Sequence, residues 1–265
     1  MEGEPTRSLV FLPKPLTSLL GREEICHKLC TQLSDPTMRL LTLTGTGGVG
    51  KTRLALEVVH RLGEHFTDGV YFVSLAATRT PEQVIPAIAQ ALQCGTGSGS
   101  VFEIVQAYLH ERHLLLVLDN FEQVRAAAPQ ISLLATNCPR LTLLITSREI
   151  LRTPEERVFV VEPLPLPEFT TQRDITALKS NPALALFIER AQALQPELEL
   201  TEASIRIIAQ ICVHLDGLPL AIELAAVRIK LLSPAALLIR LARRLQVLTI
   251  GTRDAPERQQ TLRAT

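Results

Sequence analysis

Residues Leu40–Thr52 read Leu-Leu-Thr-Leu-Thr-Gly-Thr-Gly-Gly-Val-Gly-Lys-Thr. An apolar run ends in Gly45-x-x-x-x-Gly50-Lys51-Thr52. A helical pattern follows, with Leu54, Ala55, Val58, Val59 and Leu62 on one face at three- and four-residue spacing. Strand, glycine loop and helix in that order make a phosphate-binding loop; the competing reading is an ordinary glycine-rich turn in an α/β domain. Gly45, Gly47, Gly48 and Gly50 let backbone N–H groups turn inward around Val49 and form a concave nest for a β-phosphate. The helix begins at the loop, so the positive end of its dipole faces the same anion. Lys51 adds a mobile charge for the β- and γ-phosphates, Thr52 supplies a hard oxygen for Mg²⁺, and Arg53 completes the expected nucleotide-binding set.

The rest of the chain supplies the sheet this loop requires. Residues 1–20 are Pro-rich and expected to be extended, and Leu20-Gly21-Arg22 leads into a helix through about Leu33. Gly69–Leu75 predicts a second strand. Thr80-Pro81-Glu82-Gln83 is a capping box with proline at the first helical position. A flexible loop over Gly95–Ser100 precedes a helix at Val101–Leu109. His113–Leu118 is an apolar strand ending in Asp119, and a helix is expected over Ala126–Asn137. Leu141–Ile145 is another strand, ending in Thr146-Ser147-Arg148, and Arg157–Val161 is a fifth. Continuous apolar strands alternating with helices predict a parallel sheet covered on both faces. Sites then belong at the C-terminal strand ends, where Gly45, Asp119 and Thr146–Arg148 fall.

Composition changes at Pro163-Leu-Pro-Leu-Pro167, beyond which the pattern is helical only. Asn181-Pro182 caps one helix. Ile205, Ile208, Cys212 and Leu215 form the stripe of the next, which Asp216-Gly217 stops. Pro219 suits the first turn of a third helix, and Ser233-Pro234 caps a fourth.

Asp119 closes its apolar strand as a Walker B carboxylate does, and a carboxylate there can hold Mg²⁺; the plainer reading is a buried strand ending at a helix cap. The position that often carries a water-orienting acid is Asn120, which cannot take a proton from water. Glu122 is the next acid, and either substitutes for it or lies on the surface. Arg148, at the end of the adjacent strand, can reach a γ-phosphate or form a surface ion pair.

Charge and composition narrow the partners. Net charge is +0, so no overall field draws nucleic acid or anionic membrane. Arg240, Arg243 and Arg244 read as a solvated helix face in preference to a binding patch. The absence of tryptophan argues against a stacking surface for single strands. No signal-peptide pattern or membrane-length apolar run occurs, so a cytoplasmic location is expected. Five scattered cysteines do not make a disulfide framework. Cys26, His27 and Cys30 lack a second ligand pair, so buried apolar cysteines are favoured over a zinc site.

Five pieces together resemble the signal-transduction ATPases with numerous domains (STAND), in their NB-ARC branch, with the bacterial LuxR- and AfsR-type regulators most similar. They are Pro15-Leu-Thr-Ser-Leu-Leu-Gly-Arg-Glu23, Gly45–Thr52, Leu114–Glu122, Leu143–Glu149 and Gly217-Leu-Pro-Leu-Ala-Ile-Glu-Leu-Ala225. The resemblance implies an α/β fold: a five-stranded parallel P-loop NTPase sheet of the ASCE type followed by a small all-helical lid domain. It places the nucleotide-binding domain at residues 1–167, the helical domain at 168–248, and at 249–265 a linker into a winged-helix domain lying outside the chain. It implies ADP or ATP with Mg²⁺, Leu20, Gly21 and Arg22 against adenine and ribose, Pro219 closing over the nucleotide, and Arg148 sensing the γ-phosphate. Adenine over guanine rests on this resemblance alone. The implied function is a switch with slow hydrolysis that opens and self-associates in the ATP state, with sensor and effector domains elsewhere. Asn120 departs from the many relatives that carry a second acid there. The alternatives are a turnover ATPase, such as an AAA+-like remodeller, or a P-loop kinase. Direct nucleic-acid binding by this segment is not expected, nor is membrane binding.

Overall fold

The computed structural model describes residues 18–95, 99–167 and 175–250. The Pro-rich segment before Ser18 and the expected linker beyond Ile250 lie outside the described residues. In chain order the elements are α1 (Glu23–Leu33), β1 (Leu40–Thr44), α2 (Lys51–Leu62), β2 (Val70–Ser74), α3 (Val84–Ala91), α4 (Val101–Leu109), β3 (Leu114–Asp119), α5 (Ala128–Asn137), β4 (Leu141–Thr146) and β5 (Glu156–Val160). Then come α6 (Ile175–Ser180), α7 (Pro182–Leu194), α8 (Glu202–His214), α9 (Pro219–Val227) and α10 (Pro234–Ile250). Two compact units contain them: one runs to Gly45 and resumes over Lys51–Val161, and the other takes Thr46–Gly50 and the chain from Glu162 onward.

In the first unit the five strands form one sheet in the order β2-β3-β4-β1-β5, with every pairing parallel. Strand β4 separates β1 from β3, as an ASCE-type sheet requires. Every residue of β1, β3 and β4 is buried, which is why these strands read as unbroken apolar runs. Helix α2 buries Leu54, Ala55, Val58, Val59 and Leu62, the face its periodicity announced. Cys26 is buried on α1, and Cys30 is half-buried one turn later.

Two local details differ from the sequence pattern for physical reasons. Strand β5 is not covered on both faces: it is an edge strand, and Val158 and Val160 are exposed. The helix expected from Ala126 begins as a 3-10 turn over Phe121–Ala127 with a kink at Val124, and α5 proper starts at Ala128. Asn120 takes the left-handed conformation (φ 63°), turning the chain back just past β3. Phe121 and Val124 then enter the core beside Ile131 and Leu134, and their burial outweighs helical continuity.

The second unit is helical among its described residues. α7 packs on α8 and α9, and α10 packs on α8. The short helix α6 is an addition to the helices expected from the sequence. Between α8 and α9 the chain passes through Asp216 (φ 51°) and Gly217 (φ 66°). A Cβ at Gly217 would sit 2.3 Å from the Leu164 carbonyl oxygen, so glycine is required there. The Leu164 N–H donates to the Gly217 carbonyl at 3.0 Å, pinning the proline-rich segment to this turn. Among the described residues no helix is long and apolar enough to cross a membrane.

Candidate functional site

Helix α2 starts at Lys51, directly after Gly50, so no side chain precedes it to cap its first amides. Those amides have no acceptor within the helix. Gly48 (φ 76°) and Gly50 (φ 96°) hold the loop in a conformation side chains resist. Val49 is fully buried and anchors it. Within the second unit the Leu220 N–H donates to the Gly48 carbonyl at 3.2 Å, and a Cβ at Gly48 would meet Leu220 Cβ at 3.0 Å. Pro219, the first residue of α9, is 4.0 Å through Cγ from the Cβ position of Gly50.

The Lys51 ammonium donates to the Gly45 carbonyl at 2.8 Å. Burial pulls its pKa below the ordinary lysine value. Of the charges around it, Glu122 opposes that shift most strongly, ahead of Asp119, while Arg148 adds to it. Phosphate oxygens are the anions such a partly desolvated cation favours.

Asp119 is 4% exposed at the end of β3. Its Oδ1 accepts from Thr52 Oγ1 and from Thr146 Oγ1, each at 2.6 Å. Thr52 comes from the start of α2 and Thr146 from the end of the neighbouring strand β4, so one carboxylate joins three elements. The Asn120 N–H donates to Thr146 Oγ1 at 3.0 Å, fixing that hydroxyl's orientation. The Thr52 hydroxyl spends its proton on Asp119 and keeps its lone pairs. Hard oxygens on Thr52 and Asp119 fit Mg²⁺. The sequence places Thr146 at a site-bearing strand end, closing the apolar run Leu143-Leu144-Ile145, but does not give it this role beside Asp119.

Glu122 is not a surface residue: its side chain is 19% exposed, and Oε1 lies 3.3 Å from Arg148 Nε. Its Oε2 is buried without a hydrogen-bond partner. Arg125 pairs with Glu149 beside them. Lys51, Thr52, Asp119, Glu122 and Arg148 are therefore brought together in the first unit by hydrogen bonds, an ion pair and mutual charge. Arg53 instead turns along α2 to Glu57, at 3.6 Å. Leu20 and Gly21 form the turn into α1, where Arg22 is 3% exposed and burial lowers its pKa.

Comparison with known proteins agrees with this geometry. Residues 34–144 match the AAA domain family. An uncharacterised protein of Mycobacterium tuberculosis is 34% identical over 252 residues, 94% of this chain and 60% of that protein. A second protein of that organism, named provisionally as an HTH-type transcriptional regulator, is 36% identical over 229 residues, covering 85% of this chain and 24% of its own length. The chain thus spans about 60% of the curated relative matched over most of its length, and less of the regulator. Among solved structures, a Walker-type ATPase of Pyrococcus abyssi shares the fold at a TM-score of 0.56 with 15% identity, over 88% of this chain and 74% of that one. Loop, carboxylate and sheet order together with these likenesses lead to one conclusion: the chain has a P-loop NTPase fold, similar over residues 34–144 to the AAA domain family, and resembles parts of longer proteins, one of them named as a transcriptional regulator.

Proposed function

We propose that this chain is the adenine-nucleotide switch core of a multidomain signalling or transcriptional regulator, in the NB-ARC branch of the STAND ATPases. The observation that carries it is Asp119, whose Oδ1 ties the Thr52 hydroxyl to the Thr146 hydroxyl beside the Lys51 loop. Gly45–Thr52 cradle the phosphates, Thr52 and Asp119 hold Mg²⁺, and Leu20, Gly21 and Arg22 take the adenosine. Bound Mg²⁺ supplies charge neutralisation for the phosphates. Arg148 answers to the γ-phosphate, and Pro219 belongs to the helical region, residues 168–248, that reports which nucleotide is present. A nucleotide shifts such an equilibrium only by its differential affinity for the two states. Self-association in the ATP state, sensor and effector domains beyond the chain, slow hydrolysis and a cytoplasmic location complete the proposal. The neutral charge supports a segment that leaves DNA to other domains.

Mass spectrometry of the nucleotide released on denaturation should find ADP or ATP. Titration calorimetry should then show micromolar-or-better ADP binding that Lys51→Ala removes; equal affinity in both proteins refutes the assignment. A turnover enzyme is the second reading, favoured by the unpartnered Glu122 oxygen. Steady-state turnover of about 1 s⁻¹ or faster, the range of working enzymes, would select it.

A further inference from the structure

Asn120 occupies the position where an acid would orient the attacking water, yet an amide cannot accept a proton there. The local backbone supplies a substitute. The left-handed turn at Asn120 and the anchored Phe121 bring Glu122 back toward the strand end, 3.3 Å from Arg148. Asp119 is already committed, its Oδ1 accepting from two hydroxyls. Glu149 is engaged by Arg125 and is 63% exposed. Glu122 Oε2 is the carboxylate oxygen that, among the described residues, is buried without a partner. A buried acceptor with no donor is costly unless something else supplies one.

We propose that Glu122 Oε2 is the base that orients and deprotonates the hydrolytic water, and that Arg148 positions Glu122 by holding Oε1. This rests on the nucleotide reading above and assigns a chemical step within it. The water oxygen forms a bond to the γ-phosphorus, the bond between that phosphorus and the β–γ bridging oxygen breaks, and its electron pair leaves with ADP. The water proton passes to Oε2 and from there to the released phosphate. No residue adjacent to Asp119 is then needed for hydrolysis.

The test is a single-turnover assay with γ-labelled ATP and Mg²⁺, run over a day on the same samples used for nucleotide titration. Wild type, Glu122→Gln, Arg148→Ala, the double variant and the exposed control Glu64→Gln are compared, each checked for a native melting curve. Glu122→Gln should hydrolyse about a hundredfold more slowly or worse, the usual span of a lost general base. Its affinity for ATP and ADP should stay within about threefold, less than one tenfold step in binding energy. Arg148→Ala should cost about tenfold or more through misplacement of the base. In the Glu122→Gln background it should then cost clearly less than in the wild type, the remainder being its own action on the γ-phosphate. Near-wild-type hydrolysis by Glu122→Gln overturns the proposal, as does a wild type that binds ATP and never cleaves it. Losses that multiply in the double variant overturn the positioning role of Arg148. Failure of the wild type to bind either nucleotide would instead strike the proposed function itself.

Discussion

Helix α2 and helices α4, α7 and α8 begin in opposite ways. Ser100 accepts from the Glu103 amide, Asn181 from the amides of Ala183 and Leu184, and Thr201 from the Ser204 amide. Those three starts are closed by the chain's own side chains, each cap contributing about 1 kcal/mol. Helix α2 follows Gly50, which has no side chain to give, and opens on the buried Lys51. The same first-turn amides are met by side-chain caps at three starts, and at the fourth no capping side chain precedes them. Helix α9 is a third kind: Leu218 offers no cap, and the start depends on Gly217 and Pro219.

The sharpest attempt to break this contrast is Lys51→Ala. It should weaken ADP binding by about a hundredfold or more, roughly 3 kcal/mol for a lost charged partner of the phosphates. It should leave the melting temperature of the ligand-free protein nearly unchanged; a large stability loss with intact binding would reverse the assignment. Gly217→Ala should destabilise by about 2–3 kcal/mol, since left-handed φ and a clash with the Leu164 carbonyl act together. Urea titration followed by circular dichroism reads it. Asn181→Ala should cost about 1–2 kcal/mol, because two amides lose their acceptor and the Pro165 carbonyl loses its donor. Ser100→Ala should cost about 1 kcal/mol, a shift of some 2–4 °C, with ADP affinity unchanged by calorimetry.

The smallest effect is one of pH. Glu103 accepts from the Ser100 N–H at 2.8 Å, and that bond holds its carboxyl below the ordinary glutamate range. A depressed folded-state pKa gives stability that is present above the unfolded value and lost as pH falls through the folded one. The urea-midpoint difference between wild type and Glu103→Gln should therefore be full at neutral pH and close as the solution is acidified below the ordinary glutamate range. A difference that persists in strong acid would detach the carboxylate from the cap.

What was legible in the sequence follows the same division. Helix α4 has the bounds expected after its Gly/Ser loop, and α2 those implied by its stripe and the loop before it. Such starts are local chemistry, written within four residues. The Glu122–Arg148 pair was half legible: the expected sheet sets β3 beside β4 and leaves Arg148 an ion pair, but its partner depends on the turn at Asn120. The exposure of Val158 and Val160 was hidden likewise: an edge strand and a central one can share a composition. The 3-10 turn at Phe121 escaped because a tertiary anchor overrode the helical pattern. Of the candidate residues, Lys51, Thr52, Asp119, Glu122 and Arg148 are interconnected here, while Arg53 pairs along its own helix.

The placement of β1 has a consequence for how the protein is made. Leu40 lies beside Leu143 on one side and Glu156 on the other, so the strand that leads into the phosphate loop leaves the ribosome long before either neighbour exists. At about 5–20 residues per second, it waits roughly 5–20 seconds for them. During that interval an apolar ribbon with two unpaired edges is at risk of pairing with another nascent chain. Pauses in translation between the codons for residues 44 and 141 should therefore lower the soluble yield more than pauses placed after residue 160.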